Sequence, residues 1–192
     1  MAEVLPIVQL GDAVLRRRAL EVDDVAAHAP LLDDMAATLH GRGVGLAAPQ
    51  VGVGLRLIVV EDTAELQARA DPALLELQGR RPVPRQILAN PVLEPIGDEV
   101  DVFFEGCLSF AGWVMLVPRY RTVRCHALGV EPFVAEGWHA RILQHECDHL
   151  DGTICVDRCN TRSLLPVAAY QQEWGRLSIA EAATRLGGEL EI

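Results

Sequence analysis

Residues 137–150 read Gly-Trp-His-Ala-Arg-Ile-Leu-Gln-His-Glu-Cys-Asp-His-Leu. Trp138, Ile142, His145 and His149 follow one another at spacings of 4, 3 and 4, so a helix of about 3.6 residues per turn stacks all four on one face. Asp151-Gly152 ends that helix, because glycine supplies the left-handed conformation that closes a C-terminus. Inside the stretch, His145-Glu146-Cys147-Asp148-His149 is an HExxH pattern. Two imidazoles one turn apart can share a metal ion, and the glutamate beside the first can reach a water at the ion's open position. The plain alternative is a helix with two partly buried histidines, and the surrounding sequence has to decide between them.

Outward from this helix, Leu31, Leu32, Met35, Ala36 and Leu39 form an apolar stripe that predicts an amphipathic helix ending near Gly41. Glycines 41, 43, 45, 52 and 54 surround Leu46-Ala47-Ala48-Pro49-Gln50, a segment that must turn and admit close backbone approach. Leu55 to Val60 reads as a buried strand, and Glu61 to Arg85, with Pro82 and Pro84, as a polar surface excursion. Ile87 to Ala89, Val114 to Val117 and Tyr120 to Ala127 are further strands, with a hairpin turn at Gly129. Thr153 to Val156 reads as a last strand and Leu164 to Leu186 as helical, broken at Pro166 and Gly175. The fold class expected is α+β, with mixed or antiparallel sheets around the central HExxH helix.

The chain has 192 residues, half of them apolar, enough for one compact domain or two small ones. Its 17 basic and 27 acidic residues leave a charge of -10, which argues against a free nucleic-acid binder. No stretch approaches the roughly 20 apolar residues of a membrane span, and Met1 to Leu10 lacks signal-peptide character, so the expectation is a cytoplasmic protein without membrane attachment. Five cysteines, an odd number scattered through the second half, read as free thiols. A metal site with catalytic power needs a third protein ligand. Cys147, two residues beyond His145, is rotated roughly 200° around the helix and faces away. Cys107 is the better candidate, in Glu105-Gly106-Cys107-Leu108-Ser109, where glycine permits a tight backbone.

Gly43-Val44-Gly45-Leu46-Ala47-Ala48-Pro49-Gln50, Glu105-Gly106-Cys107-Leu108-Ser109 and Gln144-His145-Glu146-Cys147-Asp148-His149 resemble, in order, the three motifs of the peptide deformylases. Leu10 to Arg16 and the Asn90-Pro91 pair are also similar to that family, and the likeness runs from about Ile7 to Arg162. Gly137 to Gln144 looks most like the subgroup that includes mitochondrial and plant-organelle deformylases, although no transit peptide is evident and a bacterial member is the simpler expectation. The resemblance implies a catalytic domain over 1–165 with 166–192 as its helical tail. It implies Cys107, His145 and His149 as metal ligands and Glu146 as general base. Gln50 and the backbone amide of Leu108 would donate to the oxyanion, and Gly45 and Gly106 would lie against the substrate backbone. One divalent ion per chain is implied, commonly Fe(II), with zinc, nickel or cobalt able to replace it. The reaction implied is hydrolysis of the formyl group from N-formylmethionyl peptides, near the ribosome where nascent chains emerge; oligomeric state is left open.

Trp138 and Ile142 share the face of His145, while Val44 and Phe103 adjoin the other two motifs, so these four wall an apolar pocket for the methionine side chain as equivalent positions do in deformylases. Two departures from the family stand out: a short hairpin at Gly129-Val130-Glu131-Pro132, and the bulky Phe110-Ala111-Gly112-Trp113-Val114 flanking the groove. The tail sets Glu173, Glu181, Glu189 and Glu191 against Arg176 and Arg185, which leaves little basic surface for ribosomal RNA. Three other readings compete. A zinc endopeptidase would take Glu173 as its third ligand, a metal-bearing regulatory protein would lack turnover, and a specialised paralogue would hydrolyse another N-formylated substrate.

Overall fold

A computed structural model of the chain describes residues 2–187; Glu189 and Glu191 of the tail lie outside the described residues. Three three-stranded sheets surround one helix. The first runs β1 (Gly45–Ala47), β2 (Leu57–Asp62), β3 (Val83–Ala89); the second pairs β4 (Val92–Pro95) with β7 (Thr122–Ala127) and that with β8 (Val130–Glu136). The third joins β5 (Val100–Cys107), β6 (Phe110–Tyr120) and β9 (Leu165–Pro166). All named strand pairs are antiparallel, and the one parallel contact among the described residues is an isolated bridge between Leu20 and Leu55. The helices are α1 (Ala29–Leu39), α2 (Ala64–Gln67), α3 (Pro72–Leu77), α4 (Gly137–Leu150), α5 (Cys155–Arg158), α6 (Val167–Ala169) and α7 (Ile179–Arg185). None of them is long and apolar enough to cross a membrane.

β2 explains why α4 is central. Leu57, Ile58, Val59 and Val60 are all fully buried, a continuous apolar run rather than an alternation, because the strand is covered on both faces. Leu57 and Val59 pack with Leu32, Met35 and Leu39 of α1. Ile58 and Val60 pack with Ala140, Ile142, Leu143 and Leu150 of α4, where Val123, Cys125 and Ala135 of the second sheet also meet. Each leucine or isoleucine so buried contributes roughly 1.5–3 kcal/mol. Gly137, with φ +57, lets β8 turn straight into α4 without a connecting residue, so the helix enters the core at a fixed angle.

Two expectations need correcting. Thr153 to Val156 is not a strand: Asp157 accepts a hydrogen bond from the Ile154 amide at 2.8 Å and nucleates α5, overriding the β-branched residues. Glu61 to Arg85 is not a bare surface excursion either. Asp62 is fully buried and gathers Arg80, at 2.6 and 2.9 Å, and Gln67, at 2.9 Å, folding α2 and α3 back onto the body. β4, β5 and β8 also lie outside the segments read as strands; β5 carries Asp101 and Glu105, whose charges arginines of other elements neutralise.

Candidate metal centre and groove

The register of the β5–β6 hairpin shifts between Gly106 and Cys107, and such a bulge re-aims a side chain. Cys107 ends β5 there, while His145 and His149 sit one turn apart on α4. A ligand atom from each lies within 4.8 Å of the other two. Cys107 Sγ is 3.3 Å from His149 Nε2, and Gln50 Nε2 lies 3.6 Å from the same sulfur. Hydrogen bonds from Cys155 and, after it, from the two histidines hold the Cys107 thiol well below its usual range against the opposing effect of burial. Cys147 behaves oppositely: on the other side of α4, burial pushes its thiol well above its usual range.

Glu146 is 3% exposed, its Oε2 has no hydrogen-bonding partner, and burial pushes its carboxyl up to about 7. Gly45 makes its place: a Cβ there would stand 2.2 Å from Glu146 Oε1. Gln50 is fixed by accepting from the Ala47 amide at 2.8 Å through Oε1, which leaves its amide nitrogen toward Cys107.

Behind the histidines lies a buried charge network. Glu105 Oε2 accepts from His145 Nδ1 at 3.0 Å, and Arg119 grips both carboxylate oxygens at 3.1 and 3.0 Å. Arg141 adds a third contact to Glu105, and Asp148 links Arg119 to Arg158. Burial alone would raise the Glu105 carboxyl, but Arg119 and His145 outweigh it and hold the group ionised. Occupying Nδ1 turns His145 Nε2 toward Cys107, the orientation a carboxylate imposes on a ligating imidazole. One sulfur and two nitrogens, with an unpartnered buried carboxylate beside them, fit a divalent ion that keeps a position open.

The polypeptide deformylase family model matches residues 4–164. The chain belongs to that family. Peptide deformylase 1 of Streptomyces coelicolor is 46% identical over 97% of this chain and 87% of its own length. The chloroplastic/mitochondrial peptide deformylase 1A of Arabidopsis thaliana is 40% identical over 94% of this chain and 69% of its own length. Among solved structures, the Met-Ala-Ser-bound class I type b peptide deformylase of Acinetobacter baumannii superposes with a TM-score of 0.71 at 32% identity, covering 82% of this chain and 99% of that one. Deformylases are metal-dependent hydrolases, and this chain carries a Cys-His-His group able to hold the ion.

In this deformylase a groove of about 660 Å³ opens onto Cys107, His145 and Glu146, and Val44, Gly45, Gln50, Gly106, Leu108, Trp138 and Ile142 all line it. Phe103 does not. It lies on the far side of Trp138, in edge contact at 6.1 Å and lining a neighbouring cavity, because alternate residues of a strand face opposite ways. Phe104 is the residue that faces the groove. Glu173 is no ligand: it pairs with Arg185 at 2.6 Å and stands apart from the Cys-His-His group, which removes the endopeptidase reading. Groove residues that the sequence reading did not name include Phe104, Leu74 of α3, Gln78 at its end and Tyr170 after α6. Arg80, held by Asp62, stacks over Trp138 at 5.1 Å and ties α3 to the groove wall. Tyr170 reaches the groove by packing on Phe104 at 5.1 Å.

Proposed function

We propose that the chain removes the N-formyl group from formyl-methionyl nascent peptides by hydrolysis, releasing formate, with the machinery assembled around Cys107, His145 and His149. The observation that carries the reading is the unpartnered carboxylate of Glu146, buried beside that group and the Gln50 amide. When bound, a divalent ion supplies Lewis acidity that polarises the formyl carbonyl and makes water acidic enough to ionise near neutral pH. Glu146 takes the proton as water oxygen adds to the formyl carbon, and returns it to the amine as the C–N bond breaks. The Gln50 side chain and the Leu108 amide donate to the oxygen that becomes negative in between. Formate and a free amino terminus result, so atoms and charge balance. Val44, Trp138 and Ile142 hold the methionine side chain, and the backbones of Gly45 and Gly106 leave room for the substrate chain.

Fe(II) is the ion this reading favours, on family resemblance; the donor set also suits zinc, nickel or cobalt. Residues 1–165 act as the catalytic domain and 166–192 as its tail, with Tyr170 closing the groove. A cytoplasmic site of action, where formylated chains leave the ribosome, follows from the substrate.

The test is formate release from formyl-Met-Ala-Ser by metal-loaded protein. Glu146→Gln should retain the ion and lose turnover, whereas Cys107→Ala should lose the ion itself. Turnover that survives Glu146→Gln would overturn the assignment of the proton acceptor.

A further inference from the structure

Besides Cys107 and Tyr170, the groove has five ionisable side chains: Arg42, Glu105, Arg141, His145 and Glu146. Four of them are spoken for. Glu105 is locked among Arg119, Arg141 and His145, and Glu146 is buried against Gly45. Arg42 is different: it is exposed, and its guanidinium meets no carboxylate among the described residues. Arg17, Arg81, Arg124 and Arg162 also form no ion pair among the described residues, but of these arginines only Arg42 lines the groove.

Its place gives the charge a use. Among the described residues β1 is the outer strand of its sheet, paired only with β2, and Gly45, with Gly43 and Val44 just before it, lines the groove. A peptide extended along such an edge adds as a further strand. With its formyl end at Cys107 and its first side chain against Val44 and Ile142, the chain leaves past Gly43 towards Arg42. Arg42 stands in the turn before β1, three residues from Gly45, so the two lie at most about 11 Å apart, within the length of the next few peptide residues. We propose, on the deformylase reading above, that Arg42 is a specificity-determining residue that favours substrates with an acidic side chain among the two residues after formylmethionine, and disfavours lysine there. A solvated charge pair is weak, so the selection is graded and acts on substrate capture.

The experiment compares kcat/KM for formate release from C-terminally amidated formyl-Met-Ala-Asp, formyl-Met-Asp-Ala and their lysine counterparts. With the wild-type protein the better-placed aspartate should win by roughly three- to tenfold, mostly through KM, and salt should shrink the ratio. Arg42→Ala should bring the ratio near one and Arg42→Glu should reverse it. A wild-type ratio near one, or a ratio that Arg42→Glu leaves in place, overturns the inference. Absence of formate from the metal-loaded wild-type protein with every peptide, formyl-Met-Ala-Ser included, would instead overturn the deformylase reading itself.

Discussion

Two buried glutamates lie near His145, one towards the end of β5 and one beside it on α4, and the fold treats them oppositely. Glu105 is 6% exposed and fully engaged, with Arg119, Arg141 and His145 on its two oxygens. Glu146 is about as buried, yet one of its oxygens meets nothing. A carboxylate saturated by fixed cations cannot take up a proton cheaply, and so serves as an anchor. One buried without partners has its proton affinity raised and stays available for transfer. The lesson is that burial assigns no role; the company kept by each oxygen does.

That contrast can be broken by substitution. Glu146→Ala should cost about 100- to 10,000-fold in kcat while leaving the thermal midpoint unchanged or higher, because an unsatisfied buried carboxyl is removed. A large drop in midpoint would show that Glu146 is an anchor too. Glu105→Ala should do the reverse in kind: two buried arginines lose their anion, and urea denaturation should show a loss of about 3–5 kcal/mol. A smaller effect on activity is expected from Gly45→Ala, which forces Glu146 aside and should lower kcat about 100-fold, as displacing a reacting group by an ångström does, with the metal content unchanged. The smallest belongs to Arg158→Ala. This arginine is half-exposed and Asp148 keeps Arg119, so the loss should stay below about 1 kcal/mol in the same denaturation series.

Legibility in the sequence followed the range of the interactions. The α4 face was readable because a helix fixes its own periodicity, and the structure gives Gly137–Leu150 the bounds expected from Trp138, His145 and Gly152. The run Leu55 to Val60 was readable as a strand, which the structure shifts to Leu57–Asp62, because strands covered on both faces need no polar alternation. β5 was not, since Asp101 and Glu105 look like surface residues until Arg121, Arg119 and Arg141 arrive from other elements. Phe103 and Phe104 are adjacent in the chain, and which of the two faces the groove depends on the register of β5 against β6.

The amino-acid sequence alone set the HExxH face, the Gly106-Cys107 pair that carries the thiol and the family to which they belong, since each motif is written within a few consecutive residues. Tertiary structure decided the company of every oxygen and ring. It left Glu146 without a partner, gave Glu105 its arginines, brought Gln78 and Tyr170 to the groove and left Arg42 without a counter-ion at its mouth. These depend on contacts between residues tens of positions apart, and no local pattern encodes which distant side chain will fill a given space.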